Sequence, residues 1–262
     1  MKIETASVRS NERIAAGIWR MELHSPAISE AARGPGQFVS ITVSDNWELP
    51  LRRPMSIAGV ENGKLHIIFK VFGRGTRRLS QKEPGDPVSL LGPLGNTFRL
   101  PSKPFFPILV GGGVGIAPVD WFHRTLTASG IGHDLIIGAV TADEHFHRHR
   151  PEDGIFVTTD DGSAGEKGTV MLVLERETKN RRRPFVYACG PGPMLKAVHE
   201  FVSAAGIPCQ MAVESYMACG TGICQGCVIP LGRGRGGGES RETIYSLVCR
   251  EGPVYDAGDI TL

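Results

Sequence analysis

ILVGGGVGIAP, residues 108–118, reads as a buried strand running into a glycine loop. A helical pattern, VDWFHRTLTASG (119–130), follows it, and then a second apolar strand, DLIIGAV (134–140). Strand, helix and strand at this spacing form a parallel unit. The alternation continues through IFVTTDDGS (155–163), the helix-like TVMLVLERETKN (169–180), the strand FVYACG (185–190) and the helix PMLKAVHEFVSAAG (193–206). Residues 101–208 are therefore predicted to be an α/β domain on a parallel sheet.

Upstream the pattern is different. QFVSITV (37–43), LRRPMSIAGV (51–60), KLHIIFKVF (64–72) and PVSLLGPLG (87–95) are short apolar runs broken by Gly and Pro. Turn signals such as Glu61-Asn62-Gly63-Lys64 separate them, so residues 1–100 are predicted to be all-β, an antiparallel barrel or sandwich. Downstream of Gly206 the alternation breaks down, and residues 209–262, roughly fifty in number, are too few for an independent hydrophobic core. A bound metal cluster would hold them together.

Composition narrows the function classes. At 262 residues, 41% hydrophobic and a formal net charge of +2, the chain is globular, long enough for two compact units, and carries no basic stripe that would suggest nucleic acid as a partner. The N-terminal MKIETASVRSNERIAAG is charged throughout, and no run of about eighteen apolar residues occurs, so a cytoplasmic protein without a membrane span is expected. Six cysteines, three of them within nine residues, look like metal or redox chemistry in a reducing compartment.

Those three lie in CGTGICQGC (219–227). Cys219, Cys224 and Cys227, with Cys249 more distant, have the C-x4-C-x2-C…C spacing in which four thiolates hold a [2Fe–2S] cluster. Gly220, Gly222 and Gly226 let the backbone turn tightly and aim amides at the sulfurs. A structural zinc knuckle would show two short C-x2-4-C pairs, and only one is present. Cys209 is read as a small buried apolar residue.

Two further sets of segments suit nucleotides. LRRPMSI (51–57), FKVFGRGT (69–76) and GPLGN (92–96) offer a cation, hydroxyls and glycine-backed amides for a pyrophosphate and an isoalloxazine ring. Gly111, Gly112, Gly113 and Gly115 follow a strand and precede a helix, where amides and the helix N-terminus can receive a pyrophosphate. In YACGPGPML (187–195), Cys189, Gly190 and Pro191 form a second strand-to-helix turn on the same sheet, so both loops point to one dinucleotide crevice.

A barrel carrying RRPMS and GRGT, an α/β domain carrying GGGVGIAP and CGPGPM, and a C-terminal MACGTGICQGC…C resemble the ferredoxin–NADP reductase superfamily. Within it they look most like the electron-transfer subunits of type B dihydroorotate dehydrogenase, over essentially the whole chain, including TDDGSAGEKG (159–168) and CREGPVYDAGDI (249–260). The resemblance implies FAD in the barrel, NAD(H) in the α/β domain and a [2Fe–2S] cluster in the C-terminal segment. Carried over where residues match, Arg53, Pro54, Met55, Ser56, Ile68, Phe69, Lys70, Gly75 and Thr76 would hold FAD, and Cys219, Cys224, Cys227 and Cys249 the cluster. The stretch from Val228 to Val248, with GRGRGGGES inside, looks longer than usual.

Such a chain converts the two electrons of a hydride into single electrons for the cluster and an acceptor beyond it. Hydride transfer needs orientation more than acid–base catalysis, and no catalytic residue is assigned from the sequence. By resemblance, dihydroorotate is oxidised on a separate FMN-containing catalytic subunit in pyrimidine biosynthesis, with two of each chain in a heterotetramer. A related NAD(P)H:ferredoxin or sulfur-compound oxidoreductase subunit is the alternative within enzymes. A zinc-stabilised nucleotide-binding regulator is the alternative of another class. Asp143 or Glu144, after the strand DLIIGAV, is expected to accept hydrogen bonds from a ribose 2′-hydroxyl and to favour NADH. HFHRHR (145–150) is expected to be a solvated loop and Arg181–Arg183 an exposed turn.

Overall fold

The computed structural model of the protein describes residues 1–44, 47–101, 104–232 and 244–262. Strands β1 (Lys2–Ala15), β2 (Ile18–His24), β3 (Phe38–Ile41), β4 (Arg53–Glu61), β5 (Lys64–Lys70) and β6 (Pro87–Leu94) close an antiparallel barrel in the order β1-β2-β5-β4-β3-β6. The charged N-terminal segment is its longest strand, because polar and apolar residues alternate: Ala6 and Val8 turn inward to the core with Met21, Leu23, Ile41 and Ile67. The first hundred residues are not all-β as expected. Helix α1 (Pro26–Ala31) is held by Glu4, whose carboxylate accepts the Ala27 and Ile28 amides at 3.2 and 3.0 Å. Helix α2 (Arg74–Ser80) starts inside GRGT and buries Leu79 in the barrel core.

The second sheet is built from β7 (Phe106–Gly112), β8 (Asp134–Ala139), β9 (Ile155–Thr159), β10 (Glu166–Lys167), β11 (Pro184–Cys189) and β12 (Cys209–Ala212), all parallel. Helices α3 (Ile116–Ala128), α4 (Val170–Asn180) and α5 (Gly192–Ala205) connect them. Both faces are buried, as a parallel sheet demands. Ile108, Val110, Ile136 and Val186 pack with Val173 of α4 and Val198 of α5, while Leu109, Leu135, Ile137 and Tyr187 pack with Val119 and Phe122 of α3.

The sheet runs past residue 208, where the α/β domain was expected to end. Strand β12 extends it, and β15 (Val254–Asp256) adds an antiparallel edge; between them β13 (Val228–Pro230) and β14 (Tyr245–Leu247) form a hairpin. A segment too short for its own core completes its hydrogen bonding on a neighbour's sheet edge. Residues 233–243 of the long link between Cys227 and Cys249 lie outside the described residues.

Two expectations about exposed basic loops are corrected. HFHRHR packs as a strap: His145 Nε2 bonds Thr158 O at 3.0 Å, His147 Nε2 bonds Asp120 Oδ1 at 2.8 Å, and His149 Nδ1 accepts the Val157 amide at 3.1 Å. Phe146 of this strap joins Ile18, Ala58, Ile68 and Ala117 in a small core where the barrel meets the α/β domain. In the 181–183 turn Arg182 and Arg183 are exposed as expected, but Arg181 is not: it donates twice to the buried Asp134, both at 2.7 Å, and lies over Phe106 at 4.6 Å. Burial outweighs the arginine and pushes the Asp134 carboxyl up, so this pair specifies position more than it stabilises.

Helix α3 forms the seam. Asp120 accepts from Arg124 Nε at 3.1 Å as well as from His147, and Arg124 also donates to the Ala58 carbonyl of the barrel. Beside it, His133 Nδ1 donates to Ile131 O at 2.7 Å, which leaves its Nε2 to accept from His123 Nδ1, also at 2.7 Å. Burial, with His133 adding, lowers the His123 pKa from 6.5 to about 4. The unfolded chain therefore binds this proton more readily, so the stability that neutral His123 contributes is complete above about pH 6.5 and is lost as pH falls toward 4. Urea midpoints measured from pH 7 to 4 should decline less steeply for His123→Gln than for the parent; parallel declines would refute this.

Candidate functional site

Strand β4 pairs with β5 with Ile57 opposite Ile67, so residues 53–56 and 68–70 come together at one end of the barrel. They line one cavity of about 500 Å³, within the range of ligand sites. All nine residues expected to hold FAD stand in its wall: Arg53, Pro54, Met55, Ser56, Ile68, Phe69, Lys70, Gly75 and Thr76. Arg53 Nη1 donates to the Leu51 carbonyl at 2.6 Å, and a Cβ on Gly75 would sit 3.3 Å from Arg53 Nε. The guanidinium thus lies close over the start of α2. The Thr76 hydroxyl accepts the Phe72 and Gly73 amides, each at 3.2 Å, so Thr76 shapes the turn that presents Gly73 and Gly75.

GPLGN does not line this cavity. Its Asn96 side chain instead bonds the backbone of Glu251 and Val254, three contacts at 2.8 Å, and Gly95 lies so close to Pro253 that a Cβ would come within 2.5 Å of it.

The cavity has a wall that the sequence reading missed. Val213, Glu214, Ser215, Tyr216 and Met217 run along it, with Tyr216 97% exposed. Met217 opens the motif MACGTGICQGC, and the signal for the other four is their place just ahead of it. Glu214 opens onto the cavity, so water reaches its carboxyl, yet the protein around it desolvates the group and pushes its pKa up. Its charge also reaches Cys189, whose thiol is raised chiefly by burial.

The two loops of the parallel sheet meet each other. A Cβ on Gly115 would strike the carbonyl of Cys189, and one on Gly112 would lie 2.6 Å from Met194 Sδ. Gly111, Gly112, Gly115, Cys189 and Gly190 are buried in this contact, whereas Gly113 and Pro191 reach the surface at the strand ends. The adjoining carboxylates part company. Glu144 pairs with Lys70 at 2.8 Å, and Asp143 is exposed beside β8.

The cysteines lie between barrel and sheet. Cys227 and Cys249 are buried in a core with Leu91 and Leu94 of the barrel; Cys219 is half-buried and Cys224 exposed. Gly220, at φ +71°, lets the loop approach Leu94 and Ser40, 3.4 and 3.7 Å from where its Cβ would be. The amides of Cys224 and Thr221 point at Cys219 Sγ from 3.5 and 3.4 Å and hold its thiol down at about 6. Burial, then the Cys227 thiol, pushes Cys249 up to about 12. Among the described residues no three His, Cys, Asp or Glu side chains converge on a single point. A two-iron cluster needs two thiolate pairs rather than one such point, so soft thiols, amide donors and an apolar surround fit it.

Gly115→Ala should force the two loops apart, at a cost of about 1–3 kcal/mol, and weaken dinucleotide binding. Thermal unfolding with and without NADH reads both, and unchanged midpoints would show the contact to be slack.

Residues 214–261 match the family described as the iron–sulfur cluster binding domain of dihydroorotate dehydrogenase B. Over its full length the chain is similar to the dihydroorotate dehydrogenase B (NAD(+)) electron transfer subunit of Fusobacterium nucleatum, 34% identical over 270 residues and covering 100% of each chain. That of Bacillus caldolyticus is 36% identical over 267 residues, covering 99% of this chain and 98% of the relative. Among solved structures, a chain of an NADH-dependent reduced ferredoxin–NADP oxidoreductase superposes with TM-score 0.84 at 28% identity, covering 98% of this chain and 90% of that one. Phthalate dioxygenase reductase shares the fold, with TM-score 0.64 at 19% identity and 94% of each chain covered.

Proposed function

The chain belongs to the family of dihydroorotate dehydrogenase B electron transfer subunits, and from that we propose a division of its residues among three redox sites and a partner. Residues 1–100 form the FAD domain, with Arg53 to Ser56, Ile68 to Lys70, Gly75 and Thr76 around the flavin. Residues 101–208 form the NAD(H) domain, with Gly111 to Gly113, Gly115 and Cys189 to Pro191 at the dinucleotide. Residues 209–262 hold the [2Fe–2S] cluster on Cys219, Cys224, Cys227 and Cys249, while lending β12 and β15 to the sheet.

One observation carries the reading. The segment that walls the flavin cavity ends at Met217, and Cys219 follows two residues later. Two residues span at most about 7 Å, so the first thiolate is tethered to the flavin wall. FAD supplies the conversion of a two-electron hydride into single electrons. The protein's own part is to orient and to exclude water. Arg53 offers charge to the flavin or its phosphates. Met55, Ile68 and Phe69 give it an apolar wall. The buried pair Cys227 and Cys249 keeps solvent from the cluster. Asp143, exposed in the turn after β8, can accept from a ribose 2′-hydroxyl and repel a 2′-phosphate, which supports NADH as the dinucleotide.

The electron acceptor is an FMN-containing catalytic subunit, in a heterotetramer with two of each chain in the cytoplasm. No described helix is long and apolar enough to cross a membrane. The exposed Cys224, with Ile223 84% exposed beside it, offers the cluster a face toward that partner.

Cys224→Ser should lose the iron–sulfur spectrum and keep flavin, since the barrel cavity does not include that thiol. Iron analysis at two per chain in the variant would remove Cys224 from the ligand set. The chain alone should reduce artificial acceptors with NADH, and should support NAD-dependent dihydroorotate oxidation only after an FMN subunit is added. Dihydroorotate oxidation without that subunit would refute the division of labour.

A further inference from the structure

Three cations line the flavin cavity, and their partners differ. Arg53 donates to the carbonyls of Leu51 and Arg52, Arg74 pairs with Glu48 at the rim, and Lys70 pairs across the domain seam with Glu144 at 2.8 Å. The last pair joins the end of β5, in the cavity wall, to the turn that ends β8 at the dinucleotide edge of the parallel sheet.

That turn does not need Glu144 to stay in place. The Asp143 carbonyl accepts the Ala16 amide at 2.7 Å, the Ala142 amide donates to Ser163 Oγ at 2.8 Å, and Ser163 is fixed by Asp161 Oδ1 at 2.6 Å. Downstream, Phe146 is packed in the seam and His147 is held by Asp120. With the backbone anchored on both sides, the Glu144 carboxylate is free to act through its charge. Its side chain is 21% exposed and that of Lys70 37%, so water screens the pair only in part.

We propose that Glu144 is a positioning residue for electron transfer: it fixes Lys70 and cancels its charge, and so sets the potential at which the flavin in this cavity is reduced. This rests on the assignment of FAD to the cavity. Two-electron reduction adds negative charge to the isoalloxazine, and an uncompensated ammonium in its wall stabilises that charge. Removing Glu144 therefore makes the flavin easier to reduce and harder for NAD(H) and the cluster to draw electrons from. The carboxylate hangs from the turn beside the dinucleotide site, so the seam carries this setting between the two ligands.

The test is the midpoint potential of bound flavin, measured anaerobically against reference dyes on the purified holo-chain, with flavin per chain as the check on folding. Glu144→Gln should raise it by about a tenfold change in the oxidised-to-reduced ratio, about 30 mV for a two-electron couple. Lys70→Met, which leaves the Glu144 charge uncancelled, should lower it, and adding Glu144→Gln to Lys70→Met should bring it back toward the parent. Glu144→Asp, which keeps the charge, should stay near the parent. No Glu144→Gln shift where Lys70→Met gives one, or a Lys70→Met potential that Glu144→Gln leaves unchanged, overturns the role of Glu144. A potential indifferent to Lys70→Met instead removes the flavin from this cavity, and the proposal falls with that assignment.

Discussion

Asn96 bonds the backbone of residues 251–254, and the architecture of the redox site follows from that contact. Its amide gives two hydrogen bonds and accepts one, each at 2.8 Å, to a stretch that also enters the parallel sheet as β15. The chain after Ala212 has no core of its own. Pinned at one end by β12 and at the other by this amide, it is laid between barrel and sheet. Its first residues wall the barrel cavity, Cys227 and Cys249 pack against Leu91 and Leu94, and Pro253 also lines the cavity. Losing the Asn96 contact would leave the N–H and C=O of buried Val254 unpaired, each costing about 1–3 kcal/mol.

The seam between the two larger units is polar where it binds and apolar where it packs. Arg124 reaches the barrel carbonyl of Ala58 from α3, Lys70 reaches Glu144 from the barrel, and Phe146 fills the gap between them. Directional bonds at fixed points hold the barrel and the parallel sheet in register, which the proposed hydride transfer between them requires. An apolar seam alone would allow sliding.

Much of this was legible in the sequence because the relevant signals are local. ILVGGGVGIAP announced a strand, a turn and a helix, and the cysteine spacing announced thiolate pairs. The segments 53–56 and 68–70 were legible as strands, and antiparallel pairing then brings them together. What escaped depends on contacts far apart in sequence. GPLGN looked like a phosphate loop, since glycine and asparagine serve a ligand and a chain clamp equally well; 155 residues separate Asn96 from Glu251. HFHRHR looked solvated because its partners, Asp120, Thr158 and Val157, lie on other elements. Glu214 to Tyr216 lie just ahead of MACGTGICQGC and matter because the chain runs along the cavity there.

On the proposed assignment one chain passes electrons from NADH through a flavin to a two-iron cluster on Cys219, Cys224, Cys227 and Cys249. Anaerobic titration of the purified chain with NADH, followed by visible absorbance and low-temperature EPR together, tests it most directly. The flavin bands should bleach, and the paramagnetic signal of a one-electron-reduced [2Fe–2S] cluster should grow in the same titration. Flavin bleaching with no such signal in a preparation shown to hold two irons per chain would contradict it.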